Sequence, residues 1–571
     1  MLSNKRGVRD LVEICSRKGI KEVIIAPGSR NAPLVISFAE HGHFNCLSIP
    51  DERVAGFFAL GIAQQTRRPV IITCTSGTAA LNFAPAIAEA FYQKIPLLVI
   101  TADRPVEWIN QGEGQSIQQR NVFANYIKRS YELPQEAQDT EDTEDTEDLW
   151  SNSRIICEAI DQTLQPSAGP VHLNIPFREP LYEVTSYKST ESPKIIESLP
   201  IQKTIGKNTL KELTKEWNQL ERKIILCGAL PTRKSNTLNK LISKISKDPS
   251  VVVFTENTSN LCNKRFFDDY DSMLSTIAAE EGSGFKPDLL ITIGGSFISK
   301  RIKKWVRKNT AKAHWHIEEL NFYLDTFQSL TRAISIAPTP FFQQLIPNIK
   351  ANKSHYQKLW RKRAKKVARR KAEFFDHIAW SDLSAFKVIL SKLPKNTNLH
   401  LGNSTPARYA QLFSLPKGIS INSNRGVAGI DGATSTAVGA AFISGKPTTI
   451  ITGDISFFYD SNALWHHHLP PNLRIILINN KGGNIFRFIK GPDSTNQLSN
   501  YFEAYQEQEA KYIAQAHNLN YFVASDEKRL KEILPQFYSK QPNNRPALLE
   551  IHTPRVESAN TWRDYYNFIA R

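Results

Sequence analysis

Cysteine is scarce in this 571-residue chain, and the six that occur, at 15, 46, 74, 157, 227 and 262, form no Cys-x-x-Cys pair. That argues against a disulfide framework. Most lie in apolar surroundings and read as reduced, buried small residues of a cytoplasmic protein. No apolar run is long enough to span a bilayer, which excludes membrane-spanning helices. The first residues, Met-Leu-Ser-Asn-Lys-Arg-Gly-Val-Arg, lack the apolar centre of a signal peptide. The middle of the chain has no Gly-x-Gly-x-x-Gly, so nothing there calls for a flavin or a nicotinamide.

Charge, by contrast, is plentiful and lopsided. Lys and Arg outnumber Asp and Glu by 72 to 55, a formal +17 that raises the question of nucleic acid. Much of it is concentrated in residues 353–371, where Tyr356, Leu359, Trp360, Val367 and Phe374 recur at helical spacing. An amphipathic helix with a solvated basic face is the reading; a nucleic-acid-binding or scaffold role is the remote alternative, since no recognised binding module accompanies it. His466-His467-His468 resembles a metal site in composition only, because consecutive helical side chains point apart; it reads as a helix end. The acidic repeat at 140–148 has no spacing that would build a cage and reads as an exposed loop before a helix near Leu149.

The length exceeds one hydrophobic core, and three α/β domains are expected at 1–183, 184–350 and 351–571. In the first, buried strands end in Pro27-Gly28-Ser29-Arg30, in Pro50-Asp51-Glu52-Arg53, in Thr75-Ser76-Gly77-Thr78-Ala79 and in Ala102-Asp103-Arg104-Pro105, and the segment closes with residues 169–176. Taken alone, Glu52 is a first-turn carboxylate suited to a helix N-terminus. A Ser, Thr, Lys and Pro-rich linker follows, roughly 183–200. The middle segment offers strands at 223–226, 251–254 and 289–293, the last running into Gly294-Gly295-Ser296-Phe297-Ile298-Ser299-Lys300-Arg301. In the third, β-branched runs at 448–452 and 474–478 read as buried parallel strands, with Ser456 to Leu469 as the crossover helix between them. Their ends carry Gly453-Asp454 and Asn479-Asn480. Together with a carbonyl in the Gly482-Gly483 turn, these offer three hard oxygen ligands, which suits Mg2+. Alone, the same stretch is equally a strand-end turn and an Asx turn.

Residues 448–483 resemble the diphosphate-binding motif of the thiamine-diphosphate (ThDP) enzymes, and residues 1–183 resemble their pyrimidine-binding domain. The resemblance implies three doubly wound parallel-sheet α/β domains: pyrimidine-binding, central and diphosphate-binding. It implies ThDP with Mg2+ or Mn2+ held by Asp454, Asn480 and Gly482. Glu52 falls on the family's essential glutamate, which hydrogen-bonds the aminopyrimidine; a dry pocket would raise its pKa. Thr75, Ser76, Gly77 and Gly453 would also line the cofactor site, with Ile430 as the wedge that bends the cofactor and Ile485 and Phe486 on its apolar side.

The ordered set of motifs, including Gly402-Asn403-Ser404-Thr405-Pro406-Ala407-Arg408, Asn424-Arg425-Gly426, Gly429-Ile430-Asp431-Gly432 and Asn480 to Phe486, is similar to one branch of that superfamily. That branch decarboxylates 2-oxoglutarate and adds the succinyl-semialdehyde carbanion to isochorismate in menaquinone biosynthesis. By this resemblance Ser404, Arg408 and Arg425 would hold the succinyl carboxylate, and Ser29, Arg30, Arg104, Gln115 and Lys300 would face isochorismate. Arginines beside strand-end turns suit two dicarboxylates. Gly-Asp-Ile-Ser in place of the commoner Gly-Asp-Gly favours this branch over another ThDP-dependent 2-oxo-acid decarboxylase or carboligase, the alternative enzyme reading. The superfamily's shared sites imply a homodimer at least, with a tetramer as the alternative.

Overall fold

Five or six short strands line up in parallel in each of three sheets; the inner strands are buried on both faces, as strands covered by helices on both sides are, while edge strands such as Asn45–Ser48 and Arg332–Ile334 are partly exposed. The computed structural model describes residues 1–134, 146–186, 192–231, 235–278, 280–319, 322–416, 418–489 and 491–571. Most of the acidic repeat therefore lies outside the described residues; a helix, Thr146–Gln162, begins at its end. The chain divides into two units, one of Met1–Ile201, Asn424–Gly445 and Tyr459–Pro470, the other of Gln202–Ser423, Lys446–Phe458 and Pro471–Arg571.

The first unit is built on a six-stranded parallel sheet. Its order in space is Asn45–Ser48, Glu22–Ile25, Val70–Cys74, Leu97–Asp103, Val171–Pro176, Ser130–Glu132. A two-stranded antiparallel ribbon pairs Leu2–Ser3 with Val184–Thr185. The helix Glu52–Thr66 packs against the helix Ala433–Ser444 so closely that glycine is required where they meet. A Cβ on Gly61 would sit 2.1 Å from the carbonyl oxygen of Thr436, and one on Gly439 would sit 2.0 Å from that of Phe58.

The second unit holds two parallel sheets. In the five-stranded one the order is Val251–Thr255, Lys223–Cys227, Leu289–Ile293, Ala313–Ile317, Arg332–Ile334. Ile225 and Cys227 face one hydrophobic cluster and Ile224 and Leu226 the other, so both faces are packed. The six-stranded one runs Ser420–Asn422, Asn398–Leu401, Thr448–Gly453, Leu473–Asn479, Ala547–His552, Asn520–Ala524. The basic helix forms at Tyr356–Asp376 and buries Tyr356, Trp360, Val367 and Phe375. Its polar face is partly engaged within the unit: Arg363 pairs with Glu281 and Lys371 with Asp269, both at 2.7 Å. No helix among the described residues is long and apolar enough to cross a membrane.

One expected element is different. The crossover helix begins at Asp454 rather than Ser456 and stops at Tyr459, and a single 3-10 turn, Ser461–Leu464, replaces the remainder. The cause is Asp460. Its buried carboxylate accepts from the backbone N–H and the hydroxyl of Ser435, at 2.8 and 2.7 Å, capping a helix whose own N-cap is the side-chain-less Gly432. The three histidines follow in turns, and His466 packs edge-on against Phe58, 5.5 Å between ring centroids.

Gly439→Ala is expected to destabilise the protein by about 1–3 kcal/mol in urea denaturation, because backbone cannot move aside as a side chain can. Gly114→Ala, which meets nothing within 4 Å, should stay within about 0.5 kcal/mol.

Candidate active site

In the first unit the chain runs from Glu22–Ile25 out to Asn45–Ser48, then back across to Val70–Cys74. Strand order thus reverses beside Glu22–Ile25, and open α/β sheets bind ligands outside such a reversal. The residues there are tightly interlocked. The Arg30 N–H donates to Thr75 Oγ1 at 3.1 Å. A Cβ on Gly28 would lie 2.3 Å from that of Thr75. Gly77 adopts a φ of 87°, where L side chains are strained. Ser76 Oγ is buried with no hydrogen-bond partner, a group free to meet a ligand.

Glu52 opens its helix, with Asp51 as the cap accepting from the Val54 N–H at 3.0 Å. Asn462 donates to the other Asp51 oxygen at 2.7 Å, and Arg53 donates to the Tyr459 carbonyl at 3.0 Å. Glu52 itself is half-buried, close enough to Cys74 that its charge adds to the effect of burial in raising that thiol's pKa. Burial, with the Asp51 charge added, raises the Glu52 pKa above the ordinary carboxylate value. That is the state in which a carboxyl shares a proton.

Arg30 and Arg104 stand near one another. Burial and then the Arg104 charge lower the Arg30 pKa. Arg30 donates to the Phe177 carbonyl at 3.0 Å and pairs with Glu179 at 3.1 Å; Arg104 donates to the Gly114 carbonyl at 2.8 Å. Each keeps a buried Nε–H without a partner, so the pair suits an anion. Ser29 and Gln115 are exposed beside them, and the Gln115 backbone would lie 3.1 Å from a Cβ on Gly77. The loop carrying Arg425 and Ile430 is fastened by Glu89, whose carboxylate accepts from Gly426 and Val427 N–H at 2.6 and 2.7 Å. Ile430 is exposed.

The second unit repeats the pattern in its six-stranded sheet, where order reverses between Asn398–Leu401 and Thr448–Gly453. Asp454 follows Gly453 and is buried. It accepts from the Gly482 N–H at 2.7 Å, from Gln506 Nε2 at 3.1 Å and from its own neighbour Ile455 at 2.7 Å. Burial pushes its carboxyl up to about 6 against these bonds. Asn480 Oδ1 is buried and has no partner. Among the described residues no three His, Cys, Asp or Glu side chains form a metal cluster. The donors gathered here are carboxylate, amide oxygen and the Gly482 carbonyl, a set suited to a hard cation that keeps several waters. Ser404 takes a φ of 69°, and its carbonyl accepts from Arg408 at 2.6 Å. Ile485 and Phe486 lie in the 3-10 turn Asn484–Arg487, with Phe486 5.9 Å from Phe502 between ring centroids. Lys300 stands elsewhere, exposed at the end of the five-stranded sheet as the first residue of the helix Lys300–Lys308.

Several supporting residues escaped sequence reasoning. Gln119 is buried and ties three strand ends together: its Oε1 accepts from the Gly77 N–H at 2.8 Å, and its Nε2 donates to the Ala102 carbonyl and to Asn174 at 3.0 and 3.1 Å. Asn174 passes the chain on to Asp103 at 2.8 Å. Glu256, also buried, braces the loop before Lys300 by accepting from the N–H groups of Ile298 and Ser299 and from the Tyr270 hydroxyl. In the sequence only Glu256, a charged residue directly after the strand Val251–Thr255, carried a signal; Gln119 in its loop carried none.

Comparison with known proteins gives a consistent result. The thiamine pyrophosphate enzyme N-terminal TPP binding domain family matches residues 5–123, and the family described as the middle domain of thiamine pyrophosphate matches residues 181–401. The chain is similar to the 2-succinyl-5-enolpyruvyl-6-hydroxy-3-cyclohexene-1-carboxylate synthase of Flavobacterium johnsoniae, 43% identical over 98% of each chain. It is also 43% identical to that of Flavobacterium psychrophilum over 96% of each. With the Porphyromonas gingivalis protein of the same name it shares 38% identity over 100% of this chain and 98% of the other.

Burial raises the Asp103 pKa from 3.8 to about 6. The folded chain therefore holds this proton more firmly than the unfolded chain does. The associated stability is fully present below pH 3.8 and is lost as pH rises through about 6. Asp103→Asn should make stability fall less steeply across that window in urea denaturation at stepped pH.

Proposed function

The chain belongs to the 2-succinyl-5-enolpyruvyl-6-hydroxy-3-cyclohexene-1-carboxylate synthases, a family of thiamine pyrophosphate enzymes. On that premise we propose that it decarboxylates 2-oxoglutarate and adds the succinyl-semialdehyde carbanion to isochorismate, releasing CO2, in menaquinone biosynthesis. The observation that carries this reading is the placement of the required residue types at the carboxyl ends of two six-stranded sheets with the same strand order. Bound ThDP supplies the electron sink that decarboxylation needs.

The residues of this chain supply binding, orientation and proton control. Glu52, with its raised pKa, would hold a proton against the pyrimidine nitrogen. Thr75, Ser76, Gly77 and Gly453 would approach the cofactor, with Ile430 as an apolar wedge and Ile485 and Phe486 excluding water. Asp454, Asn480 and the Gly482 carbonyl would hold Mg2+ or Mn2+. Arg408 and Arg425 with Ser404 would clamp the succinyl carboxylate; Arg30, Arg104 and Lys300, with Ser29 and Gln115, would orient isochorismate. Two anions that repel in water are thereby brought to reacting distance, where proximity lowers the barrier. Segments 1–183, 184–350 and 351–571 would act as pyrimidine-binding, central and diphosphate-binding domains, in a homodimer or larger assembly.

The deciding assay combines ThDP, Mg2+, 2-oxoglutarate and isochorismate, follows isochorismate loss and identifies the product by mass. Consumption that requires all four and yields an adduct retaining the enolpyruvyl group supports the proposal; CO2 release with isochorismate untouched rejects the acceptor. Glu52→Gln should cut kcat by roughly 100- to 10,000-fold while ThDP still binds. If the site is shared between subunits, mixing inactive Glu52→Gln and Asp454→Ala chains under conditions of subunit exchange should restore part of the activity. No recovery after confirmed exchange would count against sharing.

A further inference from the structure

Asn480 follows the strand Leu473–Asn479, which pairs with the strand Thr448–Gly453 leading into Asp454 in the candidate metal site, and an amide helps a cation only if its oxygen, not its NH2, faces it. Asn480 Nδ2 donates to Asp382 Oδ2 at 2.9 Å, and Asn480 Oδ1 is left buried without a partner. A carboxylate accepts and does not donate, so the contact selects one of the amide's two orientations.

Asp382 is itself held from four directions. It is fully buried at the start of the helix Asp382–Ser391, behind a Ser381–Ser384 capping box. Thr553, just past the strand Ala547–His552, donates its hydroxyl to Oδ1 at 2.6 Å, and the Tyr409 hydroxyl approaches Oδ2 at 3.4 Å. The Asp382 N–H donates to Ser558 Oγ at 3.0 Å. Among the described residues no Lys or Arg lies within ion-pair distance of it. A buried carboxylate without a cation is costly, and here its oxygens are spent on fixing neighbouring polar groups.

We propose that Asp382 is a positioning residue that locks the Asn480 amide with its oxygen turned toward the divalent cation beside Asp454. This rests on the metal assignment made above. Neither residue is near the other in sequence, and Asp382 would touch neither metal nor substrate. Partners of this kind commonly govern affinity as strongly as a ligand does.

The test is Mn2+ binding to the full chain with ThDP present, read from the electron paramagnetic resonance signal of the free aquo ion. Asp382→Ala should weaken Mn2+ by about 10- to 100-fold, with ThDP affinity recovering at saturating Mn2+. A merely structural lesion would depress both. Asp382→Asn, which keeps an oxygen for Asn480, should stay within about threefold of the parent. Asp382→Leu fills the space without an acceptor and replaces the alanine variant if that one fails to fold; it should behave as the alanine variant does. Asp454→Ala separates the two ideas. If it binds Mn2+ like the parent, the metal assignment falls and the positioning role with it. If it loses Mn2+ while folded Asp382→Ala or Asp382→Leu keeps parental affinity, the assignment stands and the role of Asp382 is overturned.

Discussion

Parallel strands deliver all of their carboxyl ends to one edge, and this geometric constraint governs what the molecule can do. In each six-stranded sheet, the place where strand order reverses leaves a gap between diverging connections. Glu52, Arg30, Thr75, Ser76 and Arg104 cluster at such an edge in one unit, and Ser404, Asp454, Asn480 and Gly482 at another. The strands do no chemistry; they fix where polar groups emerge from an apolar slab. Being half in that slab is also what raises the Glu52 pKa.

Holding such groups still requires polar atoms behind them, and this chain uses buried acids and amides for the purpose. Glu89 fastens the loop at 426–427, Glu256 the loop at 298–299, and Asp382 the amide of Asn480. Each accepts hydrogen bonds from N–H groups of a segment distant in sequence, and so fixes that segment's position. Gln119 does similar work without charge, spanning Gly77, Ala102 and Asn174. Loops restrained in this way lose little entropy when a ligand arrives.

The inner strands were plain in the sequence because both faces are apolar: 289–293 is found at its expected bounds. Glycines at strand ends were equally legible, since Gly28 and Gly77 stand where a side chain would collide or strain. What could not be read were partners distant in sequence. Asp382 looks like an ordinary first-turn carboxylate until Asn480 is beside it. Gln119 sits in a polar loop with nothing to distinguish it from Gln118. The helix expected through Leu469 failed for the same reason: local pattern favoured it, but Asp460 is claimed by Ser435. Periodicity records what a segment wants locally, and these residues answer to a different segment.

The first unit is discontinuous, drawing Asn424–Gly445 and Tyr459–Pro470 from far along the chain. During synthesis, the Glu52–Thr66 helix leaves the ribosome long before the Ala433–Ser444 helix that covers Phe57, Phe58 and Gly61 has been made. The N-terminal sheet can assemble early, but it waits with an apolar groove uncovered while the whole five-stranded sheet is translated. Translation order thus leaves a nascent form of this protein that is sticky over one defined stripe, and the stripe closes only when the chain beyond Gly445 emerges.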